Sequence, residues 1–374
     1  MDSFHRGLII VKPYGTYIRN RKKTLIVKTK NIKSIVNVNL LLIEEKIGLG
    51  IIVLGSPDKI NLTKFNKLFP HHLITDHDRL DWWPKYKNLY AYPIIKSRFF
   101  KKPILLNYST GPQITINPSN IIIKDIFIGM SGYYYKWMYP KNTRDYLAYY
   151  VDYLNSMELN SSFYKLPTKS AIKKLNSYNL TYSIKVSQYI THSKKLKNVR
   201  GAWNNFYQRF ELLYDKIGCF LFQFSPSFSC NTKNFDRLEK LSSFLNTSHR
   251  YVFEFRHVSW YDNPNVTDLF RTHNWTLVIV NINNTNNWAD NLTNGFNPAL
   301  SRYQLTSDCI YIRMHGTTGK YIGSYENRDY DKIFKFIKKK SVNKVFIFFN
   351  NTDSSDAFDN AISLSDKFNI LNEP

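Results

Sequence analysis

The sequence predicts an α/β protein in two parts: a (β/α)8 barrel over residues 125–374, preceded by a smaller, mostly-β barrel module over residues 1–120. Three observations predict it. The chain has 374 residues, enough for one barrel of about 250 residues and a second, smaller domain. From residue 125 onward, short β-rich runs alternate with helical periodicity until eight strands are counted, which implies a parallel sheet closed on itself. Finally, polar or charged residues stand at the end of nearly every run, where such a barrel gathers its C-terminal mouth.

In the first module, residues 7–13 form a β-run stopped by proline, and residues 25–28, 40–43, 48–55 and 89–95 supply further strands of a small antiparallel barrel. Residues 58–68 read as a short helix. A basic segment follows the first run, with Arg19, Arg21, Lys22, Lys23, Thr24, Lys28 and Lys30. With Trp82, Trp83 and Tyr86 available for stacking, it suits the backbone and bases of RNA or another nucleic acid. A solvated basic face over packed tryptophans accounts for the same residues equally well.

The barrel series begins with strand one at 127–132 and a helix at 143–153, then strand two at 157–164 and a helix at 169–176. Strand three at 182–187 leads through a helix at 199–213 to strand four at 219–224, and a helix at 235–245 leads to strand five, which opens the stretch 251–260. A helix at 265–273 precedes strand six at 275–281. The crossover 282–308 is Asn-rich and reads as a long rim loop. Strand seven at 309–316, a helix at 330–339 and strand eight at 344–351 complete the ring.

Strand five carries the argument about chemistry. Glu254 and Arg256 share one face of an otherwise bulky, apolar run. Buried unpaired charges are costly, so these two are paired with each other or line a polar cavity. The other strand ends add Ser131, Asn160, Lys185, Gln223, Arg313, Asn350 and Asn351, with His192 just beyond strand three. These residues, with Arg256, are the expected substrate-binding set, and Lys185, Arg256 and Arg313 call for a small substrate carrying phosphate or carboxylate.

The expected catalytic set is Glu254 as general acid-base, Glu158 opposite it on strand two, and His257 and His315 as proton carriers. A carboxyl separation of about 5 Å or of about 6.5–9.5 Å would suit retaining or inverting glycoside hydrolysis. Alternatively each glutamate is scaffold, ion-paired with Arg256 or Arg313. No cofactor is assigned; a divalent metal would draw on Glu254, His257 and His315, provided a bend brings His257 round. Tyr133, Tyr164, Trp260 and Tyr325 are candidates for an aromatic wall.

The words Gly129-x-Ser131-Gly132, Glu158-Leu159-Asn160-Ser161-Ser162-Phe163-Tyr164, Thr191-His192, Leu221-Phe222-Gln223, Glu254-Phe255-Arg256-His257-x-Ser259-Trp260, Arg313-x-His315-Gly316 and Phe349-Asn350-Asn351 resemble the DUF72 (YecE-like) family. That resemblance spans residues 125–371 and implies a TIM-like barrel with no assigned activity. Two departures stand out: Ser225-Pro226 where the family has a double proline, and a segment 352–356 without the family's glycine and histidine. Residues 7–13, the Lys23-Thr24 turn, 48–55 and 82–92 resemble the ASCH domain, a relative of PUA-like RNA-binding barrels. The position its family fills with glutamate is Ile26 here, which leaves that module without the hydrolytic carboxylate.

Two function classes remain from sequence: a hydrolase or lyase acting on a phosphorylated, glycosidic or nucleic-acid-derived substrate, and a non-enzymatic RNA-binding protein with the barrel as scaffold. The net charge of +24 points toward anionic partners, although the abundance of Asn, Lys, Ile, Tyr and Phe, typical of A+T-rich coding sequence, accounts for part of it. Cys219, Cys230 and Cys309 have neither metal-ligand spacing nor a disulfide framework. The N-terminus shows no apolar signal region and no run reaches membrane-spanning length, so the expectation is a soluble, intracellular protein without a membrane partner.

Overall fold

The structure, a computed structural model, describes residues 4–86, 88–108, 115–117, 122–283 and 292–368. Its internal contacts divide the chain into two units, Met1–Lys124 and Asp125–Pro374.

In the first unit the order is β1 (Arg6–Ile10), α1 (Tyr14–Arg19), β2 (Leu25–Lys28), β3 (Asn39–Glu44), β4 (Ile47–Leu54), β5 (Asp58–Asn61), α2 (Leu62–Lys67), α3 (Phe69–His72), α4 (Asp76–Trp82), β6 (Asn88–Asn107), β7 (Thr115–Ile116) and β8 (Ile122–Ile123). The sheet runs β2-β6-β4-β3-β1-β7. The twenty-residue β6 pairs antiparallel with β2, β4, β5 and β8. Leu8, Leu40, Leu42, Ile52 and Tyr92 are wholly buried in its core.

Two expectations for this unit need correcting. The sheet is not all antiparallel: β1 and β3 run parallel, because the chain crosses over through α1 and β2 before returning, as any parallel pair requires. Residues 58–61 are strand rather than helix. Asn61 marks the change, its side-chain oxygen accepting from Lys64 N–H at 2.9 Å to cap α2.

In the second unit the order is β9 (Asp125–Ser131), α5 (Tyr146–Val151), β10 (Ser156–Leu159), α6 (Ser161–Tyr164), α7 (Lys169–Asn176), β11 (Thr181–Lys185), α8 (Arg200–Gln208), β12 (Ile217–Gln223), α9 (Thr232–Glu239), β13 (Tyr251–Glu254), α10 (Pro264–Thr272), β14 (Thr276–Leu277), β15 (Ile279–Ile282), β16 (Gly295–Asn297), β17 (Cys309–Met314), α11 (Asn327–Lys339), β18 (Lys344–Phe349) and α12 (Asp356–Phe368). The sheet order is β14-β13-β12-β11-β10-β9-β18-β17-β15-β16. Every pairing is parallel except β15 with β16.

The ring closes through strand six, which is split at Val278. Its first part, β14, pairs with β13, and its second part, β15, pairs with β17. Gly129 is required on β9 because a Cβ there would stand 1.9 Å from the Ser156 carbonyl oxygen of β10. Between barrel and helices, Trp203 and Trp260 are buried, Trp260 stacking on Phe255 and Phe228 at centroid distances of 4.3 and 5.3 Å.

The structure also departs from the sequence reading at the ends of elements. Residues 161–164 turn into the short α6, where Ser162 Oγ stands 2.7 Å from the carbonyl oxygens of both Leu159 and Lys185 and shares its single proton between them, ending strand two early. The helices expected over 199–213 and 235–245 each give way to a 3-10 turn, at Glu211–Lys216 and Lys240–Ser243. Helix α12 was not anticipated. Of the long crossover, residues 284–291 lie outside the described residues, while Gly295–Asn297 pairs antiparallel with β15. Residues 369–374 also lie outside them. No helix among the described residues is long and apolar enough to cross a membrane.

Candidate functional site

Period-2 alternation sends Glu158, Lys185, Glu254, Tyr311 and Arg313 to the inside of the ring, where each is buried. Arg313 is the hub. It donates to Glu158 through Nε at 2.9 Å and Nη2 at 2.6 Å, and to Glu254 through Nη1 at 2.5 Å. The second oxygen of Glu254 accepts from Arg256 Nε. Glu158 also accepts from Ser131 Oγ at 2.5 Å and Tyr311 Oη at 2.7 Å, and the Tyr311 hydroxyl is 2.7 Å from Ser183 Oγ. Two arginines and two glutamates therefore cancel in charge inside a low-dielectric wall.

The electrostatics follow from this wiring. Burial pushes the Glu254 carboxyl up, but the Arg256 and Arg313 guanidiniums outweigh it and hold the group well below its ordinary value. His315 is fully buried with Nε2 3.4 Å from Arg256 Nη2 and Nδ1 3.0 Å from the Asn350 side-chain amide. The guanidinium nitrogen and the amide Nδ2 are both donors, so neither contact favours a doubly protonated ring. Burial, then Arg313 and Arg256, keep this imidazole neutral by driving its pKa well below 6.5.

Lys185 ends β11 differently. It is 8% exposed, its ammonium lies 4.3 Å from the Phe163 ring centroid, and it has no hydrogen-bond or ion-pair partner among the described residues. Burial, then Arg313, push it down to about 7. His192, in edge contact with the same Phe163 ring at 5.0 Å, is lowered to about 4 by burial, then by Lys185 and Arg256. Asn160 follows the last register pair of β10, Leu159 with Ile184, and its backbone already turns into α6. Its Oδ1 is buried and unpartnered.

Of the residues expected from sequence, Ser131, Glu158, Lys185, Glu254, Arg256, Arg313, His315, His192 and Asn350 are linked by these contacts. Three others have local duties. His257 does not turn toward Glu254: its ring caps the 3-10 turn Val258–Trp260 by accepting from Ser259 N–H at 3.2 Å. Glu254, His257 and His315 are thus not brought together as a metal set, and no group of three or more His, Cys, Asp or Glu among the described residues is arranged to hold an ion. Gln223 donates to the Phe224 carbonyl. Asn351 donates to Gly323 O and Asn360 Oδ1, tying the loop after β17 to α12.

The aromatic wall is not one surface either. Trp260 is core, Tyr164 is exposed, and Tyr325 is buried, donating to Asn281 Oδ1. Sequence reasoning missed Tyr311, Ser183 and Phe163. Tyr311 was detectable, since it lies two residues from Arg313 on the same strand face.

In the first unit the basic turn divides. Arg21 and Lys22 are exposed, as is Thr24, whose hydroxyl lies 3.2 Å from His71 Nδ1. Lys23 is buried, donating to the His72 carbonyl oxygen, and so does not reach the surface as the RNA reading required. Lys28 is half-buried. Lys23 and Lys28, with Tyr14, Trp82 and Trp83, line a cavity of about 200 Å³, and the two tryptophans pack against the core rather than standing free.

Eight parallel strands closed in one ring, with polar side chains from their C-terminal ends meeting inside it, define a TIM-type barrel. The family model described as "Protein of unknown function DUF72" matches residues 127–374, and the chain belongs to that family. A DUF72 family protein from Thermotoga maritima is similar at 25% identity over 65% of this chain and 99% of its own, with a TM-score of 0.57. Another from Enterococcus faecalis matches at 20% identity over 67% of this chain and 97% of its own, with the same TM-score. An ASCH protein from Zymomonas mobilis matches 32% of this chain and 77% of its own at 12% identity and a TM-score of 0.24, too low to carry an argument about the first unit. Comparison with curated proteins gives no match.

Proposed function

We propose that the C-terminal mouth of the barrel is the active site of a hydrolase or lyase acting on a small anionic substrate. One observation carries this reading. The four charges of the Glu158-Arg313-Glu254-Arg256 network cancel, and Lys185 is left as a buried amine with no carboxylate partner among the described residues. Buried charge networks are poor sources of stability compared with a hydrocarbon core, and desolvated, unpaired ionisable groups cluster where chemistry is done.

Glu254 takes a different part from the acid-base role read from sequence. With both oxygens held by guanidiniums it stays ionised, so it orients Arg256 and Arg313 while the neutral nitrogens of Lys185 and His192 carry protons. A phosphate or carboxylate group is favoured over a neutral glycoside, because neither glutamate is spare to act as the acid of a two-carboxylate mechanism.

Inorganic phosphate is expected to bind the mouth and stabilise the protein by about 2.7 kcal/mol at one hundred times its Kd. Thermal unfolding with and without phosphate reads this. An equal response from Lys185→Met would exclude the mouth as the binding site.

A second reading concerns the first unit, where Arg21, at a positive φ of 58°, and Lys22 project from a tight turn. We propose that they contact the backbone of single-stranded RNA. Removing both by Arg21→Ala/Lys22→Ala is expected to flatten the salt dependence of RNA binding by about 1.4 in log–log slope, at roughly 0.7 per phosphate contact. An unchanged slope in filter binding rejects the contact.

A further inference from the structure

We propose that Lys185 forms a covalent imine with its substrate, an aldehyde or ketone that also carries a phosphate or carboxylate group. The inference rests on the mouth being the active site and deepens that reading by naming the nucleophile and the reacting group.

Imine formation needs an amine that is uncharged, accessible to a carbonyl carbon, and not tied up in hydrogen bonds. Lys185 answers to all three. Its aliphatic stem is buried, its nitrogen rests over Phe163, and no carboxylate or carbonyl among the described residues engages it. A structural lysine in such a wall would pair with Glu158 or Glu254, yet both are bound by arginine instead. The groups acting on Lys185 are Arg313 and Arg256, which oppose its protonation, and Glu158 and Glu254, which favour it. Burial and the arginines prevail, bringing the amine to about 7. At neutral pH its uncharged fraction is on the order of a thousandfold above that of a free lysine.

The surroundings supply the remaining needs of the step. The nitrogen lone pair adds to the carbonyl carbon as the C–O π bond opens, and the oxygen takes a proton to give a carbinolamine. Loss of that hydroxyl as water, with formation of the C=N bond, leaves the protonated imine. One amine, one carbonyl and one proton taken up from solvent thus give one protonated imine and one water, with no oxidant or reductant. Once the nitrogen is a cationic imine it electrostatically resembles the lysine it replaced, with the substrate's own anion as counter-ion. Neutral His192, in edge contact with the same Phe163 ring that Lys185 covers, is the nearby proton acceptor.

The test uses the full chain with two small probes, glyoxylate for the carboxylate case and glycolaldehyde phosphate for the phosphate case, each with sodium cyanoborohydride at pH 7, followed by peptide mass spectrometry. One equivalent of reduced adduct is expected on Lys185, formed on the order of a hundredfold faster than on exposed lysines. It is slowed by inorganic phosphate and absent from Lys185→Met and Lys185→Arg proteins of unchanged circular dichroism. The faster probe identifies the anion. Adducts spread evenly over surface lysines, or none on Lys185 with either probe, overturn the imine. If phosphate still protects Lys185 from acetic anhydride while no adduct forms, the imine fails and the anion-binding mouth stands; if protection is also lost, both fail.

Discussion

Replacing Arg313 with methionine is expected to destabilise the barrel by about 3–5 kcal/mol, a fall in melting temperature of roughly 6–20 °C for a unit of this size. The arginine is 1% exposed and the two glutamates it bridges are fully buried, so its loss leaves Glu158 with hydroxyl donors alone and Glu254 with Arg256 as its one guanidinium. The effect depends on pH. In the native protein Glu254 is held below its ordinary 4.5, so its contribution is fully present above that value and declines as the pH falls further. In the variant Glu254 loses one of the two guanidiniums that favour its ionised form, so protonation costs the variant less and the gap between the two proteins narrows as the pH falls. Replacing Glu158 and Glu254 by glutamine in the same chain is expected to restore part of the loss. Urea denaturation checks both; a loss below about 1 kcal/mol for the single change would show that the network does not bear on stability.

The second large effect has the opposite sign. Lys185→Met is expected to stabilise the protein by about 2–4 kcal/mol at pH 7, part of an upper bound of about 5 kcal/mol set by the displacement of the amine. Lys185 sits at about 7 folded against 10.5 free. A folded value below the unfolded one means that stability is full above 10.5 and declines as the pH falls toward 7. Methionine removes that penalty and keeps an apolar stem against Phe163. The gain should vanish in unfolding experiments above pH 10.5. A variant less stable than the wild type at pH 7 would contradict the assignment of Lys185 as an uncompensated buried amine.

Much of the barrel was legible because its strands obey one local rule. Residues 344–349, 309–314 and 251–254 are bulky, β-branched or aromatic runs, and the structure keeps them as strands with the expected starting points. Breaks that depend on side-chain hydrogen bonds were not legible. Ser162 reaching two carbonyls and Asn61 capping a helix change the path at single residues within otherwise suitable patterns. The parallel pairing of β1 with β3 was hidden too, since it depends on where an intervening helix carries the chain.

The site divides along the same line. Glu254 with Arg256 was readable as a same-face charge pair within one strand. That Arg313, two barrel strands further along the chain, bridges Glu254 to Glu158 was not, because the register of a closed sheet decides it. His257 shows the limit from the other side: its residue type suggested chemistry, while its neighbour Ser259 commits it to capping a turn.

The interruption of strand six at Val278 has a mechanical consequence. Among the described residues, the hydrogen-bond ladder passes from β13 to β14 and from β15 to β17, and Val278 N–H itself donates to the Phe253 carbonyl at 2.9 Å, so the first half of this strand serves one neighbour and the second half the other. A substitution that displaced the backbone at Val278 is therefore expected to loosen both neighbouring strands at once.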